Sequence, residues 1–273
     1  MNILIVGLGL IGGAYALNLS KNHYIYGVDI NQESIDYALK NKYINEGSKD
    51  AKDFIKKSDL IILALSPKTI LDFLNTYKNE FLNTHVITDV CGIKASYILD
   101  AVSMAKPATY IAHHPMTGCE KNGIFYSHTF SFVDKNYIIT TTKDTEDKNA
   151  IDILTKIGND LNMKVSICDY KKHDQMIAYT SDLTHAIAVS LMNSNRDETL
   201  INFAGRSFLE MTRIANINEN LWSEIFIENS DNLLEQINIF MDEMEKMKHA
   251  LESKDDKVLK ELFISSKKIR KEI

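Results

Sequence analysis

The sequence predicts an α/β half built on a mostly parallel sheet, followed by an all-helical half. Three features lead to that division. Short apolar, β-branched runs alternate with helical patterns over the first part of the chain. Such alternation marks βαβ units, in which helices cover both faces of a parallel sheet. Strand signals then stop after about residue 170, and no proline follows Pro115. The expected domains are therefore residues 1–168 (α/β) and 169–273 (all-α).

The strands come first. "NILIVG" (2–7), "YIYGVD" (24–29), "DLIILAL" (59–65), "HVITDV" (85–90) and "TYIAHH" (109–114) read as buried strands. Between them, "NQESIDYALKNK" and "KTILDFLNTYKNEF" place apolar residues at three- and four-residue steps, the spacing of one helix face. "NYIITT" (136–141) and "KVSICD" (164–169) are expected to finish the same sheet. Beyond them, "HDQMIAYTSDLTHAIAVSLMNS" reads as one long helix, apolar around much of its circumference and so expected to be buried. Leu233, Ile237, Phe240, Met244, Met247 and Leu251 form a heptad seam of under three repeats. Such a seam suits either a core-facing helix or one that packs on a twin in a dimer.

The totals narrow the function classes. With 273 residues, 45% hydrophobic and 25% charged, the chain has the make-up of a globular protein of two modest domains. A net charge of −6 gives no reason to expect nucleic acid or an anionic membrane as partner. Cys91, Cys119 and Cys168 are too scattered for a disulfide framework or a zinc cluster, and fit a reducing cytoplasm. The apolar start "MNILIVGLGLIGGAYALNL" lacks a basic flank and is interrupted by glycines, so no targeting or spanning segment is expected.

"IVGLGLIGGAYAL" sets Gly7, Gly9 and Gly12 in a G-x-G-x-x-G frame between a strand and a helix. Gly7 permits the tight turn, Gly9 the approach of a diphosphate, and Gly12 the packing of helix on strand. Leu8, Leu10 and Ile11 fill the frame and are counted with it as cofactor-binding. Asp29 closes the second strand, 22 residues after Gly7, where a carboxylate can bind ribose hydroxyls and repel a 2′-phosphate. The expected cofactor is NAD rather than NADP. Ser66 and Pro67 follow the strand at 59–65 and read either as a border of the cofactor site or as a helix start.

"TYIAHHPMTG" repeats the arrangement of strand, then histidine, then a proline that fixes the turn. His113 and His114 should point to opposite faces, so one of them faces a substrate. A neutral imidazole there could take a hydroxyl proton while hydride leaves the same carbon, with an expected acid limb near pH 6–7. No residues at ligand spacing nearby favour a metal.

Taken together, "GLGLIGG", "VDIN", "HHPMTGCEKNG", "HDQMIAYTSDLTH" and "FLEMTRIANINENLWSEIF" resemble the prephenate dehydrogenase family, in order and through nearly the whole chain. The resemblance implies a Rossmann-type nucleotide-binding domain followed by an all-α dimerisation domain, hence a homodimer. It also implies NAD-dependent oxidative decarboxylation of prephenate in tyrosine biosynthesis. It assigns the substrate's ring hydroxyl to His114 and the substrate's side-chain carboxylate to Arg213. "SDLTH" matches a family S-H-x-P-H element at Ser181 and His185, one helical turn apart, and departs from it at Asp182 and Thr184. "DVCGIK" puts Gly92 where a serine often supports the catalytic histidine, so support must come from elsewhere or from water. Glu120 and Lys121 match an acid–lysine pair, readable as a loop ion pair or as a gate. His173 and Asp174 read as the start of the long helix rather than as substrate contacts. Arg206, seven residues before Arg213, would share its face on a continuous helix and has no assigned role.

Three rivals remain. Arogenate dehydrogenase acts on the amino counterpart of prephenate. β-Hydroxyacid dehydrogenases share the architecture but use a lysine inside the first helix of the second domain, whereas Lys171 and Lys172 precede that helix here. A non-catalytic NAD-responsive binding protein would have no need of His114 and Arg213 together.

Overall fold

The computed structural model describes residues 1–117 and 121–272. It divides into two compact units, Met1–Ile177 with Asn216–Glu228, and Ala178–Ala215 with Asn229–Ile273. The first unit thus runs on past residue 168.

Its main sheet is built by β1 (Asn2–Val6), β2 (Tyr24–Val28), β3 (Glu46–Ser48), β4 (Leu60–Leu63), β5 (Val86–Asp89) and β6 (Thr109–Tyr110). The connecting helices are α1 (Leu10–Leu19), α2 (Gln32–Lys40), α3 (Lys52–Ile55), α4 (Pro67–Tyr77) and α5 (Ile98–Met104). All five strand pairings are parallel, in the order β3-β2-β1-β4-β5-β6. Alternate residues of β1 feed two cores: Ile3 and Ile5 join one hydrophobic cluster, Leu4 and Val6 the other. Covering both faces explains why these strands are continuous apolar runs. The strand order reverses between β1 and β4, which opens a crevice beyond their carboxyl ends.

The last three expected strands depart from the prediction. "TYIAHH" is two strands, because Ile111 separates β6 from β7 (Ala112–Pro115). β7 runs antiparallel to β8 (Asn136–Thr141), and β8 pairs parallel with β9 (Lys164–Asp169) across α6 (Lys148–Asp160). Residues 136–141 and 164–169 therefore form a second, three-stranded sheet instead of finishing the first. Apolar alternation fixes which face of a strand is buried but not which neighbour it pairs with. From β9 the chain passes directly into α7 (Tyr170–Ile177).

The expected long helix is present but interrupted by a π-helical turn at Ala178–Asp182, after which α8 (Leu183–Ser194) continues. It is less buried than expected: Leu183 and Ala188 are the buried residues of α8, while Tyr179 and Met192 are exposed. α9 (Arg206–Thr212) follows, then α10 (Glu219–Glu228), which counts with the first unit. The second unit closes with α11 (Ser230–Glu252) and α12 (Asp256–Glu272). Of the heptad seam on α11, Leu233 is buried within the chain, whereas Met244 and Leu251 are exposed. Among the described residues no helix is long and apolar enough to cross a membrane.

Candidate active site

β1 ends where Gly7 takes a φ of +91°, a conformation strained for any residue with a side chain. A Cβ there would meet the Ala64 carbonyl oxygen at 2.4 Å, and one on Gly12 would meet the Gly7 carbonyl oxygen at 1.8 Å. The backbone itself requires both glycines. Gly9 is different, since nothing lies within 4 Å of a Cβ built on it. It precedes α1 without a side-chain cap, and the first turn of α1 carries no acid. An open approach to free N–H groups and a positive helix end fits a diphosphate.

Asp29 follows β2. Its Oδ2 accepts from the Leu8 N–H at 2.6 Å and its Oδ1 from the Asn31 N–H at 2.8 Å. The carboxylate thereby fixes the glycine loop, and each oxygen keeps a second lone pair for a ribose hydroxyl. The Leu8 side chain is fully buried, so only its backbone belongs to the loop surface. Leu10 and Ile11 open α1 and are half-buried. Ser66 and Pro67 do start a helix, with Ser66 in the cap position of α4 and its Oγ 3.0 Å from Thr69 Oγ1. They follow Ala64, the neighbour of Gly7, and so stand at the crevice as well.

β7 separates the two histidines. His113 is wholly buried, with Nε2 2.7 Å from Tyr15 Oη, Nδ1 2.7 Å from Thr88 Oγ1, and its ring stacked on Tyr137. Burial, with the nearby Lys94 charge, pushes its pKa down to about 3. It is a core histidine. His114 is half-buried, and Gly92 lies beside it: a Cβ on Gly92 would be 3.8 Å from both Cε1 and Nε2 of the ring. Because Gly92 follows β5, His114 stands at the carboxyl edge of the same parallel sheet as the glycine loop.

The missing serine at Gly92 is answered from the opposite side of the ring. His114 Nδ1 is hydrogen-bonded to His173 Nε2 at 3.0 Å, and His173 Nδ1 to Asp174 Oδ1 at 2.7 Å. Sequence reasoning placed His173 and Asp174 at a helix start, which they occupy in α7, but missed this contact. A His-Asp pair in a first turn was the available signal, and only the β7-β8-β9 pairing brings it to His114. Burial, followed by the charges of His173, Lys94 and His113, holds the His114 pKa well below the usual imidazole value. An acid limb set by this histidine is therefore expected below that of an ordinary imidazole.

Beneath lies a second network from "DVCGIK". Lys94 Nζ donates to Asp89 Oδ1 at 2.6 Å and to the His113 carbonyl at 2.9 Å. Asp89 also accepts from the hydroxyls of Tyr97 and Tyr110. Burial alone would raise the Asp89 pKa, but Lys94 and the two tyrosines outweigh it and leave it lowered. Lys121 lies 4.9 Å over the Tyr126 ring, while Cys119 and Glu120 fall outside the described residues.

The second unit gathers three of the other expected residues. His185 Nδ1 donates to the Ser181 carbonyl at 2.9 Å, across the π-turn into α8. The turn Arg213–Ala215 packs against α8, and burial together with the Arg213 charge lowers the His185 pKa. Arg213 itself is exposed within the chain. Arg206 begins α9 and pairs with Glu210 at 2.7 Å; Arg213 lies in the next turn, so the two do not share one continuous helix. Asp182, at the first departure from the family element, is buried and accepts from Asn229 Nδ2 at 2.8 Å. It is committed to packing α11 against the π-turn.

An open diphosphate cradle and an imidazole kept neutral at the same sheet edge suit one kind of chemistry, the removal of hydride from an alcohol. The class is a nucleotide-dependent dehydrogenase. A family model described as the nucleotide-binding domain of prephenate dehydrogenase matches residues 14–167, and one described as its dimerization domain matches residues 169–265. The chain belongs to the prephenate dehydrogenase family.

Relatives match nearly the whole chain. The prephenate dehydrogenase of Bacillus subtilis is 28% identical, over 98% of this chain and 75% of its own. The cyclohexadienyl dehydrogenase of Zymomonas mobilis is 25% identical, over 98% of this chain and 94% of its own. The crystal structure of prephenate dehydrogenase from A. aeolicus, in complex with hydroxyphenyl propionate and NAD+, superposes with a TM-score of 0.88. It is 28% identical and covers 100% of this chain and 98% of that one.

Proposed function

We propose that this protein oxidatively decarboxylates prephenate to 4-hydroxyphenylpyruvate with NAD+, as a cytoplasmic homodimer joined through its helical domain. One observation carries the reading: His114, at the carboxyl edge of the nucleotide-binding sheet, is held through Nδ1 and has Gly92 beside Nε2. NAD+ as cofactor is supported by the Asp29 carboxylate after β2 and by the bound NAD+ of the A. aeolicus enzyme. The hydroxyphenyl propionate in that enzyme carries a ring hydroxyl and a carboxylate arm, the two groups assigned here to His114 and Arg213.

Bound NAD+ supplies the hydride acceptor. His114 Nε2 takes the hydroxyl proton as hydride leaves the same ring carbon, and that carbon–oxygen bond becomes a carbonyl. The ring carboxylate departs as CO2, and its bond pair moves through the ring to the oxygen. His114 returns the proton there, leaving a phenol, so no net proton is released. Arg213 holds the side-chain carboxylate with a planar, permanently charged group suited to two parallel hydrogen bonds. Ser181 and His185 border the same substrate. The neutral His185 carries its proton on Nδ1, toward the Ser181 carbonyl.

Arogenate is the alternative substrate, and the cyclohexadienyl dehydrogenase relative keeps it in view. Assaying prephenate and arogenate, each with NAD+ and NADP+, while following the reduced nicotinamide, tests the proposal. Turnover of prephenate with NAD+ at the highest kcat/KM is expected. A preference for arogenate or NADP+ would replace the corresponding half of the reading, and no turnover of either acid would end it.

A further inference from the structure

We propose that His173 and Asp174 fix the tautomer of His114, so that Nε2 is always the bare nitrogen offered to substrate. The inference rests on the reading of His114 as the base and deepens it. A carboxylate only accepts hydrogen bonds, so Asp174 Oδ1, 2.7 Å from His173 Nδ1, places the proton of a neutral His173 on Nδ1. His173 Nε2 is then a lone pair. The group 3.0 Å away, His114 Nδ1, must donate to it. A neutral imidazole carries one N–H, so His114 Nε2 is left unprotonated. Once Asp174 has placed the first proton, neither ring retains a choice.

The carboxylate that starts the sequence is itself immobilised. Asp174 is 1% exposed and accepts from the Ala95 N–H at 2.6 Å and the Lys94 N–H at 3.0 Å, both through Oδ2. His173 is also 1% exposed, so no bulk water competes for its nitrogens. On the far side of His114, Gly92 adds no side chain, which leaves space for a substrate oxygen near Nε2. When Nε2 gains a proton, the new positive charge faces Asp174 through the His173 ring, and the bond between the imidazoles strengthens. His173 touches neither substrate nor cofactor in this scheme and is a positioning residue. The logic is that of a carboxylate orienting a histidine base, extended by one imidazole.

Long-range 1H–15N correlation spectra of the 15N-labelled protein distinguish the two imidazole tautomers, and the His114 signals are assigned by their loss in His114→Asn. The wild type is expected to show the Nδ1–H form at His114. Asp174→Asn keeps an oxygen toward the Ala95 N–H but puts an NH2 group beside His173 Nδ1. His173 then carries its proton on Nε2 and forces His114 into the Nε2–H form, blocking the base. The expected result is that altered spectrum with a fall in kcat of roughly 10²–10⁴-fold, the scale of disabling a general base, and little change in NADH binding. His173→Gln, whose carboxamide oxygen can accept where Nε2 did, should keep kcat within about tenfold of wild type while His173→Ala does not.

An Nε2–H form in the wild type overturns the proposal. So does Asp174→Asn with unchanged spectrum, whether or not kcat falls. If Asp174→Asn fails to bind NADH, the wild-type spectrum and His173→Gln decide alone. Failure of the base assignment itself is read separately, from His114→Asn turning over at the wild-type rate.

Discussion

The Lys94 ammonium and the Asp89 carboxylate lie 2.6 Å apart with both side chains wholly shut off from solvent. Through the His113 carbonyl, the same ammonium ties the end of β5 to β7, and the Lys94 backbone holds Asp174. Breaking a buried pair by removing one partner costs about 3–5 kcal/mol, because the other charge stays behind. Lys94→Met should therefore lower the thermal midpoint by roughly 6–20 °C for a domain of this size. The sign of the pH effect also changes. In the wild type the lowered Asp89 pKa contributes stability above its unfolded value that is lost as pH falls. In Lys94→Met only the Tyr97 and Tyr110 hydroxyls still oppose burial, so the Asp89 pKa rises relative to wild type and the deficit should shrink from pH 8 to pH 5. Thermal unfolding at both pH values checks this, and an unchanged midpoint would show that the pair contributes little.

Gly9 and Gly12 make a contrast that separates folding from cofactor binding. A Cβ on Gly12 strikes backbone at 1.8 Å, whereas one on Gly9 meets nothing in the protein. Gly12→Ala should both unfold more easily and lose nucleotide affinity. Gly9→Ala should keep its thermal midpoint and still bind NADH at least about tenfold more weakly, since its methyl group would enter the space proposed for the diphosphate. Fluorescence titration with NADH gives the answer, and tight binding by Gly9→Ala would remove the diphosphate from that position.

Much of this arrangement is legible in the chain itself. β1, β2, β4 and β5 are apolar runs because both sheet faces are covered, and the Gly7–Gly12 frame and Asp29 carry their chemistry in their spacing. β3 is three half-buried residues, Glu46–Ser48, with no apolar signal to find. The division of "TYIAHHP" at Ile111 was equally hidden, since β7 is decided by its antiparallel register with β8, 22 or more residues away. His173 was missed for the same reason. Its partner His114 is 59 positions distant, and only tertiary pairing makes them neighbours.

Arg213 should act on substrate affinity more than on chemistry. A hydrogen-bonded pair with a charged group contributes about 1.5–3 kcal/mol, so Arg213→Ala should raise the KM for prephenate roughly 10–100-fold. Its exposure within the chain argues against the larger cost of stranding a buried charge. Arg213→Lys should recover part of the loss but not the two-point grip. Steady-state kinetics decide it, and an unchanged KM in Arg213→Ala excludes the residue from the substrate site.

The pH profile follows from the environment of His114. A base works in its neutral form, and a lowered pKa keeps it neutral to lower pH. The acid limb of kcat/KM should accordingly lie below that of an ordinary imidazole. A limb at pH 7 or above would mean that the titrating group is not this histidine.

The most direct measurement is the turnover of His114→Asn with prephenate and NAD+. Its carboxamide NH2 can still donate to His173, so the fold and NADH binding should persist while the proton acceptor is gone. A fall in kcat of roughly 10²–10⁴-fold, with the acid limb abolished, is the predicted result. Near wild-type turnover with the limb intact would contradict the account.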